Sequence, residues 1–366
     1  MKVQVTQENL AKALSSAQRI TTSKAGLPIL NNILIKTDEN RLLVASTNLE
    51  IASTHHIGAK VIKDGSITVP ARLISEFVSS LPKGQIDIET DGSKLNIKSG
   101  NYKSTINGID SEEFPELPSV DQAKATHYSI DAHEFKKSVG QTVFASSNDS
   151  TRPILTGVYW HSKAGELFLV ATDGYRLAEK ALLKTKSELS AIVPSSILNE
   201  VLRLLNDNTE AVEALFDETQ VMFKVDESEL ISQLIDGKYP DYEKLIPSVY
   251  QVKTEVSAEE FSRITKIASL FSRDSGNSIT IKVDEASQKI SIQSVASEVG
   301  ENTSDIEASI KGSGQVSLNA RYLTEALSVV EGEEVEFKFN GKLAPCVLES
   351  KDKKTSHKHV IMPIKS

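Results

Sequence analysis

One pattern of residues comes round three times in this chain of 366 residues, and no single-core fold accommodates that. Thr6-Gln7-Glu8-Asn9-Leu10-Ala11-Lys12, Asp131-Ala132-His133-Glu134-Phe135-Lys136-Lys137 and Ser257-Ala258-Glu259-Glu260-Phe261-Ser262-Arg263 begin 125 and 126 positions apart. Each opens on a capping residue (Thr6, Asp131, Ser257), places acid in the first turn and continues with apolar residues at helical spacing. A second set recurs inside each unit, at Val69-Pro70-Ala71-Arg72, Val193-Pro194-Ser195-Ser196 and Leu318-Asn319-Ala320-Arg321. In its first two copies a proline stands at the expected first helical position, where its missing N–H costs nothing. The spacing predicts six helices, over 7–22, 70–81, 131–146, 194–206, 257–273 and 319–330.

Between the helices, segments 32–37, 41–46, 85–90 and 94–99 alternate apolar and polar residues around turn signals such as Asp91-Gly92-Ser93. The second unit repeats the alternation at 157–161, 167–172 and 221–225, and the third at 278–283, 289–294, 335–339 and 346–350. The predicted class is α+β: three repeated domains, each with two helices on antiparallel sheets. Phe114-Pro115-Glu116-Leu117-Pro118 and Tyr239-Pro240-Asp241-Tyr242 lie 125 apart at unit ends, which sets the cuts at 1–124, 125–248 and 249–366.

Repeated copies that reuse one contact build curved or closed arrays. Two chains would bring twelve helices, and twelve axes about 9–10 Å apart trace a loop roughly 35–38 Å across, leaving a hole of about 25–28 Å. A duplex fits such a hole with a layer of water. The charge agrees. The predicted helices hold ten bases and eight acids, so they carry +2, and the rest of the chain carries −11 of the net −9. Mildly positive helices on an acidic body suit a protein that holds DNA loosely.

Other chemistries find no support. The single cysteine, Cys346, excludes an internal disulfide and a cysteine-based zinc site. No apolar run approaches the roughly 20 residues of a membrane helix, and the start of the chain alternates like a strand, so no membrane partner is expected and a cytoplasmic location is the default. Thr172-Asp173-Gly174 reads as a turn, and Gly312-Ser313-Gly314 as a hairpin. His55 and His56 fall on opposite faces of a strand. His357 and His359 share a face of what reads as a surface strand with no third metal ligand nearby. With no nucleophile–base pair and no phosphate loop, the chain is expected to be no enzyme and to need neither cofactor nor metal.

The stretches Leu27-Pro28-Ile29-Leu30, Val69-Pro70-Ala71-Arg72, Ala171-Thr172-Asp173-Gly174-Tyr175-Arg176-Leu177, Asp236-Gly237-Lys238-Tyr239-Pro240-Asp241-Tyr242 and Val360-Ile361-Met362-Pro363-Ile364 are specific by their order and spacing. Over essentially its whole length the chain resembles the bacterial DNA sliding clamp, the beta subunit of DNA polymerase III. The resemblance implies half of a closed ring: a head-to-tail homodimer around duplex DNA, read without regard to base sequence. It implies a processivity factor that tethers the replicative polymerase, is opened by a separate clamp loader and serves other replication and repair proteins carrying a clamp-binding peptide. The family's peptide groove falls on Leu155, Thr172, Gly174, Tyr175, Arg176, Leu177, Pro240, Lys244, Leu245, Val360, Met362, Pro363 and Ile364, with Lys244 where many relatives carry arginine. The ring contact falls on Lys103, Ser104 and Ile106 against Leu270 and Phe271, with Glu298 and Glu301 for charge. The bases expected to face DNA are Lys12, Arg19, Lys24, Arg72, Lys136, Lys137, Arg203, Arg263, Lys266 and Arg321. The competing reading is a triplicated scaffold with no DNA role.

Overall fold

The computed structural model describes residues 1–21, 27–296, 300–352 and 355–364; the predicted sites Lys24 and Glu298 lie outside them. Six α-helices form where the repeat places them: α1 Gln7–Ile20, α2 Ala71–Ser80, α3 Ala132–Gly140, α4 Ser195–Leu204, α5 Ala258–Leu270 and α6 Ala320–Val329. The largest correction is α3, which stops at Gly140 instead of reaching 146. Glycine and then the β-branched Thr142 and Val143 weaken the next turn, and the chain tightens into a 3₁₀ turn over Val143–Ala145. Pro70 and Pro194 also shift by one place. Each ends the strand before its helix instead of opening the helix.

The helix starts are held in a way the cap residues did not reveal. Thr6 makes no side-chain cap, although Ser257 Oγ accepts from Glu260 N at 3.3 Å. Common to all three repeats is a backbone clasp. The first amide of the first helix donates to a carbonyl just past the second helix: Gln7 to Gly84 (2.8 Å), Ala132 to Glu210 (3.0 Å) and Ala258 to Glu333 (2.9 Å). Each bond removes one of the donors a helix start leaves unpaired.

The described residues pack as two bodies, Met1–His133 with Ser196–Leu234, and Glu134–Ser195 with Ile235–Ser366. These do not follow the repeat boundaries, because sheets run across those boundaries. In the first body the strand Ile51–Gly58 of repeat one pairs antiparallel with Ser228–Gln233 of repeat two, inside an eight-stranded sheet. In the second body Arg176–Lys184 of repeat two pairs the same way with His357–Ile361 of repeat three, inside a nine-stranded sheet. A five-stranded sheet in the first body ends on Tyr102–Asn107, and a four-stranded sheet in the second ends on Gly300–Glu307.

Leu10, Leu14 and Ala17 of α1 recur at helical spacing and bury against Ile74 and Val78 of α2 and the sheet residues Ile33, Val44 and Ile88. Phe261, Ile264 and Ala268 of α5 do the same against Leu323 and Leu327 of α6 with Ile279 and Phe337. Each such side chain contributes about 1.5–3 kcal/mol. Gly312 and Gly314 do not turn a hairpin. The strand before them, Ser309–Lys311, pairs in the nine-stranded sheet, and the strand after, Gly314–Asn319, pairs in the four-stranded one. Gly312 has φ +82°, and a Cβ there would stand 2.2 Å from the Gln251 carbonyl oxygen, so only glycine makes the crossing.

His357 and His359 also depart from expectation. Their strand is flanked on both sides, so both rings are buried and meet edge-on, 4.2 Å between centroids. Burial holds His357 down to about 4 and His359 well below its ordinary value. A depressed imidazole is neutral in the folded body, while the unfolded chain takes up protons below about 6.5, so stability is lost as pH falls through that window. The expected loss at about pH 5 is about 2 kcal/mol for His357 alone. The one tryptophan, Trp160, is buried in the same body and reports it. Its urea midpoint should drop between about pH 7.5 and about pH 5, and the drop should shrink in His357→Gln. An unchanged midpoint in wild type would contradict a buried neutral pair. No group of metal-ligating side chains occurs among the described residues.

Candidate functional site

In the second body Thr172, Gly174, Tyr175, Arg176 and Leu177, five of the expected groove residues, share one turn and the start of its strand. Thr172 closes it: its Oγ1 donates to the Arg176 carbonyl at 2.6 Å and accepts from Gly174 N at 3.1 Å. Asp173 Oδ1 accepts from the amides of Tyr175 and Arg176 at 2.8 and 3.0 Å, the expected Asx turn. Gly174 takes φ +92°, which leaves Tyr175 61% exposed at the tip. Leu177 turns inward opposite Val360, and both are buried with Val170, Tyr239 and Tyr242. Beyond them residues 362–364 are tied down. Met362 N donates to the Tyr175 carbonyl at 2.9 Å and Ile364 N to the Ser317 carbonyl at 2.8 Å, which leaves Met362, Pro363 and Ile364 half-buried. Leu155 lies half-buried in the 3₁₀ turn Pro153–Thr156, and Leu245 and Pro240 are exposed. The expected groove residues thus range from buried Leu177 and Val360, through half-buried Leu155, Met362, Pro363 and Ile364, to exposed Tyr175, Pro240 and Leu245.

Two predicted groove residues have other duties. Arg176 is buried and fully engaged. It donates through Nε to Asp173 at 3.1 Å, through Nη2 to the Phe144 carbonyl at 2.8 Å and through Nη1 to Glu325, and its guanidinium stacks 4.6 Å from the Tyr322 ring. It ties α6 to the turn. Burial pushes the Glu325 carboxyl up, but hydrogen bonds from Arg321 and Arg176 outweigh it and leave the group below its usual range. Sequence reasoning missed Phe144, Tyr322 and Glu325; only the arginine after an Asp-Gly turn hinted that partners existed. Lys244 points to solvent and pairs with Asp241 at 2.6 Å.

The bases expected to face DNA divide by partner. Arg19 meets Glu200 at 2.7 Å, and Glu200 also takes Arg203. Arg72 pairs with Glu76, Arg263 with Glu259 and Arg321 with Glu325, at 2.8, 2.6 and 2.8 Å. Exposed pairs of this kind are worth little and exchange readily for a phosphate. Lys137, by contrast, is a half-buried tie to Glu331 at 2.8 Å. Among the described residues, Lys12, Lys136 and Lys266 make no ion pair, and all three are exposed.

At the expected ring contact, Lys103 is exposed and Ser104 half-buried on the sheet edge Tyr102–Asn107, and Glu301 is exposed on the edge Gly300–Glu307. Leu270 is 57% exposed at the end of α5 and Phe271 is half-buried. Strand alternation turns Ile106 into the core of the first body.

Three family profiles of the DNA polymerase III beta subunit match in order: its N-terminal domain over residues 1–118, its central domain over 129–241 and its C-terminal domain over 243–365. The beta sliding clamp of Bacillus subtilis is 32% identical and that of Staphylococcus epidermidis 30%, each over the whole of both chains. Among solved structures, the B. subtilis DNA polymerase sliding clamp superposes with a TM-score of 0.94 at 30% identity, covering 100% of this chain and 99% of that one. A Pseudomonas aeruginosa sliding clamp bound to griselimycin shares the fold, with a TM-score of 0.93 at 24% identity and full coverage of both chains.

Proposed function

The chain belongs to the bacterial DNA sliding clamp family, the beta subunit of DNA polymerase III, and we propose that it is a processivity factor that closes head to tail with a second copy around duplex DNA. The observation that carries closure is the pair of unfinished sheets. Both repeat boundaries are made by the same pairing, Ile51–Gly58 to Ser228–Gln233 and Arg176–Lys184 to His357–Ile361. The edge Gly300–Glu307 occupies the place of the first strand in that pairing, and Tyr102–Asn107 the place of the second, one repeat on. Pairing them between copies repeats the junction and joins five strands to four, the size of the intact nine-stranded sheet. Lys103 stands on one edge and Glu301, Asp305 and Glu307 on the other, so unlike edges attract and like acidic edges repel.

The three domains run 1–124, 125–248 and 249–366 on this reading, and the ring performs no chemistry of its own. Sliding requires that no base be read, because a base contact worth about 1–3 kcal/mol would trap the ring at every matching site. Phosphate contacts from Lys and Arg carry no sequence information. The groove around Leu177, Val360 and Met362 takes the linear peptides of the polymerase, the clamp loader and other replication and repair proteins.

Closure is tested by mass in solution. Leu270→Ala with Phe271→Ala should shift the protein toward monomer and weaken dimerisation by at least tenfold, since each buried side chain of this size is worth about 1.5–3 kcal/mol. Sedimentation of the double variant as wild type at low concentration would refute the contact. A wild-type protein that is monomeric at micromolar concentration would refute the ring.

A further inference from the structure

The first body contains a copy of the turn that carries the expected groove residues of the second. Thr47 stands 125 positions before Thr172, and Thr47-Asn48-Leu49-Glu50-Ile51 repeats the hydrogen bonds of Thr172-Asp173-Gly174-Tyr175-Arg176. Thr47 Oγ1 donates to the Ile51 carbonyl at 3.1 Å and accepts from Leu49 N at 3.0 Å. Asn48 Oδ1 accepts from the amides of Glu50 and Ile51 at 3.0 and 2.7 Å. The strand that follows is paired alike, with Ala52 opposite Ile231 as Leu177 is opposite Val360. The partner strand also ends alike: Gln233 N donates to the Glu50 carbonyl at 3.3 Å, as Met362 N does to the Tyr175 carbonyl.

The side chains differ, and with them what the place can hold. A cavity of about 210 Å³ opens beside the copied turn, lined among others by Leu49, Glu50, Ile51, Glu116, Pro118 and Ile231. That is room for roughly seven waters at about 30 Å³ each, or for one long side chain. Leu49 stands in the place of Gly174 with φ +75°, a left-handed conformation that costs a leucine about 1–2 kcal/mol. Its side chain stays 54% exposed, so packing within this chain offsets little of that cost. The charge differs as well. Asp241 is paired with Lys244 at 2.6 Å, and 125 positions earlier stand Glu116 and Ser119, so the acid is kept and its cation is gone. Glu50, in the place of Tyr175, adds a second carboxylate. Both glutamates are exposed. Among the described residues neither makes an ion pair, and no Lys, Arg or His lines the cavity.

We propose that this cavity is a second peptide site, which takes an arginine side chain presented by an extended peptide. The apolar stem lies against Leu49, Pro118 and Ile231, and the guanidinium reaches the carboxylates of Glu50 and Glu116. Arginine combines an apolar stem with a rigid fork of donors, so one side chain meets both the wall and the acids. The choice of a peptide as carrier rests on reading the second body's turn as part of a peptide groove; the size and charge of the cavity do not.

The test follows the methyl signals of leucine- and isoleucine-labelled full-length protein, titrated with an end-blocked Gly-Ala-Arg-Ala-Gly peptide. Leu49, Ile51 and Ile231 report the cavity, and Leu155, Leu177 and Leu245 report the groove. The arginine peptide should move the first set saturably at millimolar concentration, and the same peptide with glutamate in place of arginine should not. Glu50→Gln with Glu116→Gln, both at exposed positions, should weaken binding about fivefold. Leu49→Gly restores the residue type of the second body's turn, so it should fold as wild type and still bind at least threefold more weakly, read at Ile51 and Ile231. Signals of the first set that stay fixed, or a double glutamine variant that binds as wild type does, would overturn the site. A norleucine peptide that binds equally well would overturn the arginine assignment, and movement confined to the second set would place the peptide in the groove instead. Deletion of residues 362–366 tests the groove alone and leaves Leu49, Glu50 and Glu116 in place, so the two failures are separate.

Discussion

Deleting residues 362–366 should abolish binding of a fluorescently labelled clamp-binding peptide, with affinity lowered by at least a hundredfold, and should remove polymerase stimulation while leaving a folded dimer. The tail is docked through the Met362 and Ile364 amides, and Met362 and Pro363 stand beside the buried Leu177–Val360 pair. On the proposed reading its removal takes away one wall of the groove, and it takes none of either main core. Methionine also suits a wall that must accept varied ligands. Loss of one well-filled apolar subsite is worth about 1.5–3 kcal/mol, and two subsites together exceed a hundredfold. Lys244→Ala should change affinity less than threefold, because that side chain is solvated and pairs locally with Asp241. Peptide bound with unaltered affinity by the truncated protein would remove the tail from the groove.

The second large effect is topological. A ring loaded on nicked circular DNA should persist far longer than on the same DNA after linearisation, by more than a hundredfold. Weak phosphate contacts do not hold a ring against diffusion off an end. Direct affinity for linear duplex should be weak, and its logarithm should fall with the logarithm of salt concentration by roughly 0.9 for each phosphate the protein neutralises. Replacing Lys12, Lys136 and Lys266 with alanine should lower that affinity and flatten the slope. Lifetime on circles should stay nearly as long. Lifetimes measured on both templates at two salt concentrations decide the matter. Tight, salt-insensitive, sequence-dependent binding to linear DNA would favour a conventional DNA-binding protein.

Much of this architecture was legible along the chain, because the signals were local. Helical periodicity around Leu10-Leu14 and Phe261-Ile264, and the offset of the Val-Pro pairs, located all six helices. The Thr172-Asp173-Gly174 turn was legible because its hydrogen bonds close within four residues. What stayed hidden is non-local. His357 and His359 look like surface residues until strands from two repeats flank them. Arg176 looks like a free cation until Glu325, 149 residues away, meets it. Ile106 sits on an edge strand whose two faces differ, and only the sheet shows which face is inside. Gly312 serves two sheets whose partners are distant in sequence.

The backbone clasp at the start of each first helix has a consequence for how such a chain arises. A bond from amide to carbonyl asks nothing of any side chain, proline donors aside. Thr6, Asp131 and Ser257 can therefore differ, and Gly84, Glu210 and Glu333 can differ, while the joint between helix and loop stays the same. A gene segment copied in tandem inherits its joints intact. Its copies are then free to drift apart in their side chains without first solving the problem of folding again.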